Sequence, residues 1–313
     1  MGTALVTGGA GFIGSHLVQA LVRRGEPVRV LDNFATGRRG NLAGLEDRVD
    51  LMEGDLRRLP DVEKAVDGVD VVFHQGGLTS VPRSIADPLA THEANATGTL
   101  HVLWAARRAG VRRVIFASSS SVYGDTPSLP KVEEMSPAPR APYAASKLAG
   151  EQHCRVFSEI YGLETVALRY FNVFGPRQDP TSEYAAVLPK FISAMLRGAC
   201  PVIFGDGTQS RDFTYVDNVV AANLLAAAAP AGVLRGEVCN VACGERATLL
   251  DLVAALNDLL GTRLEPIFQP PRAGDVLHSH AAIHRAERLL GYRPAVRFAD
   301  GLRQTVAWMR THA

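Results

Sequence analysis

Long apolar runs are missing from this chain, and so is any excess of charge of one sign. Its 313 residues carry 33 Lys and Arg against 32 Asp and Glu, so no global field draws it to nucleic acid or to an anionic membrane. The most apolar late stretch, Ala221 to Leu234, is broken by Asn223 and Pro230 and is too short to cross a bilayer. Cysteine is scarce. Cys154, Cys200, Cys239 and Cys243 lack the paired spacing of a zinc site and read as small buried hydrophobes. His278, His280 and His284 cluster, but they fall in a segment that other residues explain better, so no metal is expected. The start, MGTALVTGG, reads as a strand and a glycine turn without the charged segment and cleavage site of a signal peptide. A cytoplasmic protein is expected, and neither an internal repeat nor a low-complexity tract interrupts it.

What is present is the composition of a soluble globular protein, 47% hydrophobic and 21% charged, long enough for a large core. Apolar strands at Thr3–Thr7, Val28–Asp32, 51–56, Val69–His74, 113–117 and 165–169 alternate with helices, one of them over about 88–109. That pattern predicts an α/β fold, a doubly wound parallel sheet covered on both faces. From Phe174 the texture turns to loop chemistry, then to helices near 187–197, 216–229, 249–260 and 299–309 with short strands near Val202, Val238 and Leu264. The expected layout is a Rossmann domain over 1–175, with parts of about 210–242 returning to it, and a smaller mixed α/β lobe over 176–313, interleaved with the first.

After the first strand, Gly8, Gly11 and Gly14 let the backbone turn sharply and approach a pyrophosphate, and a helix N-terminus offers its free N–H groups to the phosphates. Asp32 ends the second strand about 20 positions later, where a carboxylate binds both ribose hydroxyls and repels a 2′-phosphate. NAD is therefore expected rather than NADP; Arg38 and Arg39 lie nearby but past a glycine-containing loop. Asp55 falls at the end of the third strand, where such sheets place ligands, and Gln75-Gly76-Gly77 forms a turn loose enough to lie against a dinucleotide.

Tyr143 and Lys147, four apart in a helix-forming stretch, share one face. A phenol is a poor base at neutral pH. A lysine ammonium about 6.5 Å away, at an effective dielectric of ~20, favours phenolate by roughly 2.5 kcal/mol, lowering its pKa by about 2. A second fixed positive charge, for which an oxidised nicotinamide ring is a candidate, would complete the shift. The same spacing occurs on ordinary surface helices, so the pair gains meaning only beside a nicotinamide site.

GGAGFIG, the Tyr–Lys pair 24 residues after a serine cluster, and Arg169-Tyr170-Phe171-Asn172-Val173-Phe174-Gly175-Pro176-Arg177 together resemble the extended short-chain dehydrogenase/reductases. Within these the chain is most similar to the UDP-hexose 4-epimerases, over essentially its whole length. The resemblance implies a tightly held NAD that takes hydride from sugar C4 and returns it to the other face of a 4-keto sugar. It implies Tyr143 as the base for the C4 hydroxyl, Lys147 as its tuner and ribose contact, and Ser119 as the hydroxyl sharing O4, with Ser120 the alternative one register away. It also implies cofactor contacts from Phe12, Ile13, Asn33, Leu56, Asn95 and Tyr170, beside Gly8, Gly11, Gly14, Asp32, Asp55 and Gln75. For the substrate it implies Ser80, Asn172 on the sugar-side phosphate, Arg211 and Arg272 on diphosphate and uridine ribose, and Asp275 as ribose acceptor.

Related 4,6-dehydratases carry Asp and Glu in the two positions held here by Ser120 and Ser121, and without that pair dehydration has no proton relay. The position beside the sugar's 2-substituent is Ser279, small enough to leave room for an N-acetyl group. The expected activity is 4-epimerisation of UDP-GlcNAc and UDP-GalNAc as well as UDP-Glc and UDP-Gal. A UDP-glucuronate 4-epimerase and a nucleotide-sugar 4-ketoreductase are the alternatives, and a non-catalytic NAD sensor is disfavoured because Tyr143, Lys147 and Ser119 are all kept. Gly76-Gly77 departs from the family's paired alanines, and Ala281-Ala282-Ile283 from its acidic residue. The family also implies a homodimer through paired helices, with Leu148, Phe157 and Ile160 able to serve that interface or the core.

Overall fold

The computed structural model describes residues 2–180, 187–271 and 277–312. Seven strands form one parallel sheet: β1 (Thr3–Thr7), β2 (Val28–Asp32), β3 (Val49–Glu53), β4 (Val69–His74), β5 (Arg113–Ser119), β6 (Glu164–Tyr170) and a late strand, Arg235–Val241. Across the sheet they run Arg235–Val241, β6, β5, β4, β1, β2, β3. The central strands are apolar along their length because helices cover both faces. On one face lie α1 (Phe12–Arg23) and the helices Val216–Ala228 and His284–Leu290, meeting the sheet through Leu17, Leu21, Val219, Ala222 and Ala286. The other face is covered by α2 (Leu59–Val66) and the helices Gly98–Arg108 and Pro142–Tyr161, through Val62, Val102, Leu103 and Phe157. A separate core around Phe174, Phe191, Ile192, Phe213, Leu252 and Leu302 joins the helices Val187–Leu196, Leu249–Leu260 and Phe298–His312.

Three expectations change. The helix expected over 88–109 is two α segments, Pro88–His92 and Gly98–Arg108, joined by a wide π-type turn, Glu93–Thr97. That turn holds Asn95, whose buried side chain bonds both backbone groups of Leu78 at 2.7 and 2.9 Å. The third strand starts and stops earlier than 51–56: after Gly54 the Asp61 carboxylate takes the Asp55 N–H, so Asp55 and Leu56 stand in the loop beyond it. Of the apolar residues considered for an interface, Phe157 is buried in the core and Leu148 packs against the cluster of Val122, Tyr123 and Phe171. Ile160 alone of the three is open, at 70% exposure.

One interaction fixes how the late chain returns to the sheet. Arg113, at the start of β5, is fully buried; it pairs with Glu164 of β6 and donates to the carbonyls of Ala226, Ala227 and Ala229 at 2.8–3.0 Å. A cation on those carbonyls satisfies groups that the end of helix Val216–Ala228 leaves unpaired and complements its dipole. Arg113→Leu leaves Glu164 and the carbonyls without that partner. The variant should lose about 3 kcal/mol in urea unfolding, and a loss under about 0.5 kcal/mol, typical of a surface change, would show that this grip contributes nothing.

Candidate active site

The first turn is built by close approach of backbone. Gly8 has φ +66°, and a Cβ there would lie 2.6 Å from Gly76 Cα, so only glycine lets the turn after β1 meet the turn after β4. At Gly14 a Cβ would fall 2.1 Å from the Gly8 carbonyl oxygen. Gly11 caps α1 without a side-chain bond, and helix geometry leaves the N–H groups of Phe12, Ile13 and Gly14 for an anion. Asp32 is buried at the end of β2, accepting from Ala10 N–H at 2.9 Å and Phe34 N–H at 2.8 Å. Asn33 donates to Asp55 at 2.9 Å, and the Arg57 guanidinium bonded to Asp55 holds that carboxyl well below the usual carboxylate range. Leu56 lies against Gly76, where a Cβ would come within 2.7 Å of Leu56 Cδ1. Arg38 pairs with Asp179 and Arg39 with Glu53, so both nearby arginines are engaged with carboxylates. A glycine cradle, an uncapped helix start and a strand-end carboxylate fit a dinucleotide without a 2′-phosphate.

Further along the same edge, Gln75, Tyr170 and Asn223 close a triangle: Tyr170 OH donates to Gln75 Oε1 at 3.1 Å, Asn223 donates to Tyr170 OH at 2.8 Å, and Gln75 donates to Asn223 Oδ1 at 3.0 Å. Asn95 adds a bond to Ser146 Oγ at 3.0 Å. Asn95, Gln75 and Tyr170, expected as cofactor contacts, thus use these side-chain groups to fix their own neighbours. Asn223 was not foreseen in that role, although a lone amide inside the apolar run 221–234 was the available signal. His74, also unforeseen, is buried between the hydroxyls of Thr7 and Thr99 at 2.8 and 2.9 Å, and burial first and then Lys147 push its pKa down to about 3.

The helix Pro142–Tyr161 starts on proline, which suits a first helical position, and puts Tyr143, Lys147 and Glu151 on one face. They meet three consecutive residues of β5. Lys147 Nζ donates to the Ala117 carbonyl at 2.8 Å, Ser118 Oγ donates to Glu151 at 2.5 Å, and Tyr143 lies beside Ser119. Ser119 Oγ accepts from Ser121 N–H at 3.2 Å and Ser121 Oγ at 2.9 Å, so its own proton is left to donate to the phenol oxygen. Ser121, which sets that rotor, is invisible in the sequence, where it is one serine of four. Ser120, the other candidate, opens the short turn Ser120–Tyr123.

Burial pushes the Tyr143 phenol up, opposed by the Ser119 side chain. The lysine is itself desolvated, its pKa brought down to about 8, and its ammonium is turned to a strand carbonyl. Sequence spacing placed the two side chains on one face but not the direction in which the ammonium points.

Toward the second lobe, Asn172 sits at φ +35° and donates to the Asp212 carbonyl at 3.1 Å and Ser279 Oγ at 3.3 Å. Arg211, on the short strand Ser210–Arg211, bonds the Leu277 carbonyl at 3.0 Å, and Ser279 N–H donates to Ser210 O at 2.9 Å. Asn172, Arg211 and Ser279 are thus assembled; Arg272 and Asp275 lie outside the described residues. Ser80 caps the short helix Val81–Ala86, accepting from Arg83 N–H at 3.1 Å. The residue that organises this side is Asp212, also unforeseen. Its buried carboxylate accepts from the N–H groups of Cys243, Gly244 and Ala281 at 2.9, 3.1 and 3.3 Å, and burial lifts its pKa to about 6. The histidines considered as ligands are dispersed, His278 on Ser210 and His280 on the Gly244 carbonyl, and no His, Cys, Asp or Glu group among the described residues could hold a metal.

Comparison with known proteins is consistent with this geometry. Residues 4–242 match the model of the NAD dependent epimerase/dehydratase family. A UDP-glucose 4-epimerase of Mycolicibacterium smegmatis is 40% identical over 314 residues, covering 98% of each chain. Among solved structures, a UDP-N-acetylglucosamine 4-epimerase from Methanobrevibacter ruminantium M1, in complex with UDP-N-acetylmuramic acid, is 41% identical with TM-score 0.95, covering 100% of this chain and 99% of that one. A UDP-glucose 4-epimerase of Thermus thermophilus in complex with NAD is 39% identical with TM-score 0.90, covering 99% of this chain and 100% of that one.

Ser119→Ala removes the hydrogen bond that favours the phenolate, so the Tyr143 pKa should rise further. Tyrosinate absorbance against pH, referenced to Tyr143→Phe protein, measures it. An unchanged or lower value would mean that the Ser119 proton is directed elsewhere.

Proposed function

Given that this chain belongs to the NAD dependent epimerase/dehydratase family and uses NAD, we propose that it inverts C4 of UDP-sugars, taking UDP-GlcNAc and UDP-GalNAc as well as UDP-Glc and UDP-Gal. The observation that carries this is the juxtaposition of Tyr143 with Ser119 at the end of β5, with only hydroxyls at Ser120 and Ser121. NAD, when bound, supplies a reversible hydride acceptor for sugar C4 and a fixed positive charge near the phenol. Tyr143 removes the C4 hydroxyl proton and gives it back, and Ser119 holds the same oxygen as alcohol and as ketone. Lys147 spends one of its three donors on Ala117, leaving two for the nicotinamide ribose. Dehydration would need acid–base groups beside Ser119, and hydroxyls cannot serve.

Asn172 and Arg211 suit a diphosphate, the guanidinium because it makes forked, charge-assisted bonds. Ser279 shares a hydrogen bond with Asn172, so in this reading the small residue beside the sugar's 2-substituent is tied to the group on the sugar-side phosphate. Arg272 and Asp275 complete the nucleotide site in the same reading. We place the enzyme in the cytoplasm: all four cysteines are unpaired, and no described helix is long and apolar enough to cross a membrane. A homodimer is supported by exposed Leu100, Trp104, Val156 and Ile160 on the helices Gly98–Arg108 and Pro142–Tyr161.

A panel of UDP-sugars, uronates included, resolved into epimers chromatographically, tests the reading. Both the acetylated and unacetylated pairs should equilibrate without net change in NAD. Turnover of the unacetylated pair alone contradicts the Ser279 argument, and stoichiometric use of reduced cofactor would make the protein a ketoreductase. Tyr143→Phe should keep NAD and lose turnover by about 10²–10⁴-fold. Ser279→Tyr should cost the acetylated pair about 10–200-fold relative to the unacetylated one.

A further inference from the structure

The connection after β2 leaves the sheet and forms no α-helix; its regular structure is two short 3-10 turns, Arg39–Leu42 and Glu46–Arg48. It nevertheless packs directly on Asp32. A Cβ at Gly37 would lie 2.9 Å from each carboxylate oxygen of Asp32, so the position of this loop decides whether ribose hydroxyls can reach or leave that carboxylate. Two of the loop's bonds are local: Arg38 N–H and Asn41 Nδ2 both donate to the Ala10 carbonyl, at 2.9 and 2.8 Å.

Asn33 and Arg39 reach Asp55 and Glu53, and two further ties come from more than 130 residues away, as the separations of 136 and 141 positions show. Arg177 donates to the Asn41 carbonyl at 3.0 Å and to Gln19 of α1 at 3.0 Å, and Asp179 pairs with Arg38 at 2.5 Å. Beside them His16 of α1 bonds the Pro176 carbonyl at 2.9 Å. This stitching is maintained against resistance. Arg177 has φ +66°, left-handed backbone that a bulky residue rarely adopts, and its guanidinium is held where burial first and then Arg23 disfavour its charge. Strain of that kind persists where the surrounding structure enforces it, and it collects at ligand clamps.

We propose that Pro176–Asp179 is a buckle that fastens the 33–41 loop over the ribose-binding carboxylate and sets how slowly NAD leaves. The buckle touches α1 on one side and the loop on the other, so fastening it fixes the glycine turn and Asp32 in a single arrangement. It acts on release without contacting the reacting atoms. The proposal rests on the assignment of Asp32 to the NAD ribose and not on the sugar.

The test uses full-length protein loaded with radiolabelled NAD and diluted into excess unlabelled NAD, with retained label followed over time and no sugar present. Arg177→Met and Asp179→Asn should each release NAD faster, and the double variant by about tenfold or more, as expected for loss of charge-assisted hydrogen bonds. Asp70→Asn breaks a comparable Arg–Asp pair, with Arg112 at 3.0 Å, at the opposite end of the sheet, and should leave the rate unchanged. Unchanged release in the double variant, or equal acceleration in Asp70→Asn, overturns the buckle. If Arg177→Met does not fold, Asp179→Asn decides alone. A protein that epimerises no UDP-sugar would still report on NAD release, so this proposal and the epimerase reading fail separately.

Discussion

The candidate site depends on the seam between β5 and the helix Pro142–Tyr161. Residues 117, 118 and 119 of the strand are engaged by Lys147, Glu151 and Tyr143 of the helix. The middle contact is buried and ionic, since Glu151 also takes a forked pair of bonds from Arg169 at 2.8 and 2.7 Å. A buried pair of this kind adds little net stability over apolar packing but makes displacement of either partner costly. Here it sits one residue from Ser119 and one helical turn from Lys147, so a shift of the helix along the strand would have to break it. The phenol's position relative to Ser119 is therefore set by a buried ion pair one residue away along the strand.

On either side of that seam the ligand sites are assembled by different means. The cofactor side relies on backbone approaching backbone, as at Gly8 and Gly76, where the lack of a side chain is itself the fit. The side toward the second lobe relies on Asp212, whose carboxylate collects N–H groups from two separated segments, 243–244 and 281, while its backbone carbonyl takes Asn172, which in turn bonds Ser279. Three N–H bonds keep a buried carboxyl satisfied although burial raises its pKa. The first design tolerates little substitution at glycines; the second concentrates its dependence on one acidic residue.

What could be read from the sequence was whatever is encoded locally. The glycine turn, Asp32 at the strand end, and the Tyr143–Lys147 spacing each lie within one or two adjacent elements, and the alternation of strands and helices specified the parallel sheet. Features that depend on distant partners were not legible. Arg113 reads as an ordinary basic residue before a strand, yet it is the most completely buried cation in the described chain. The wide turn at Glu93–Thr97 replaced a uniform helix because Asn95 has partners at Leu78 and Ser146. The direction of the Lys147 ammonium was not legible for the same reason: the carbonyl that draws it belongs to another element.

The strand Arg235–Val241 pairs with β6 along its whole length, although about 70 residues separate the end of one from the end of the other. Synthesis at roughly 5–20 residues per second therefore leaves the β6 edge open for several seconds on the ribosome. For most of that interval the guanidinium of Arg113 has none of its helix carbonyls, and the hydroxyl of Tyr170 lacks Asn223. An unpaired apolar strand edge invites pairing with another chain. Vectorial synthesis thus delivers the helix Pro142–Tyr161 well before the strand that closes the sheet behind it, and the nascent chain is most vulnerable while the residues of its candidate site already exist but their frame does not.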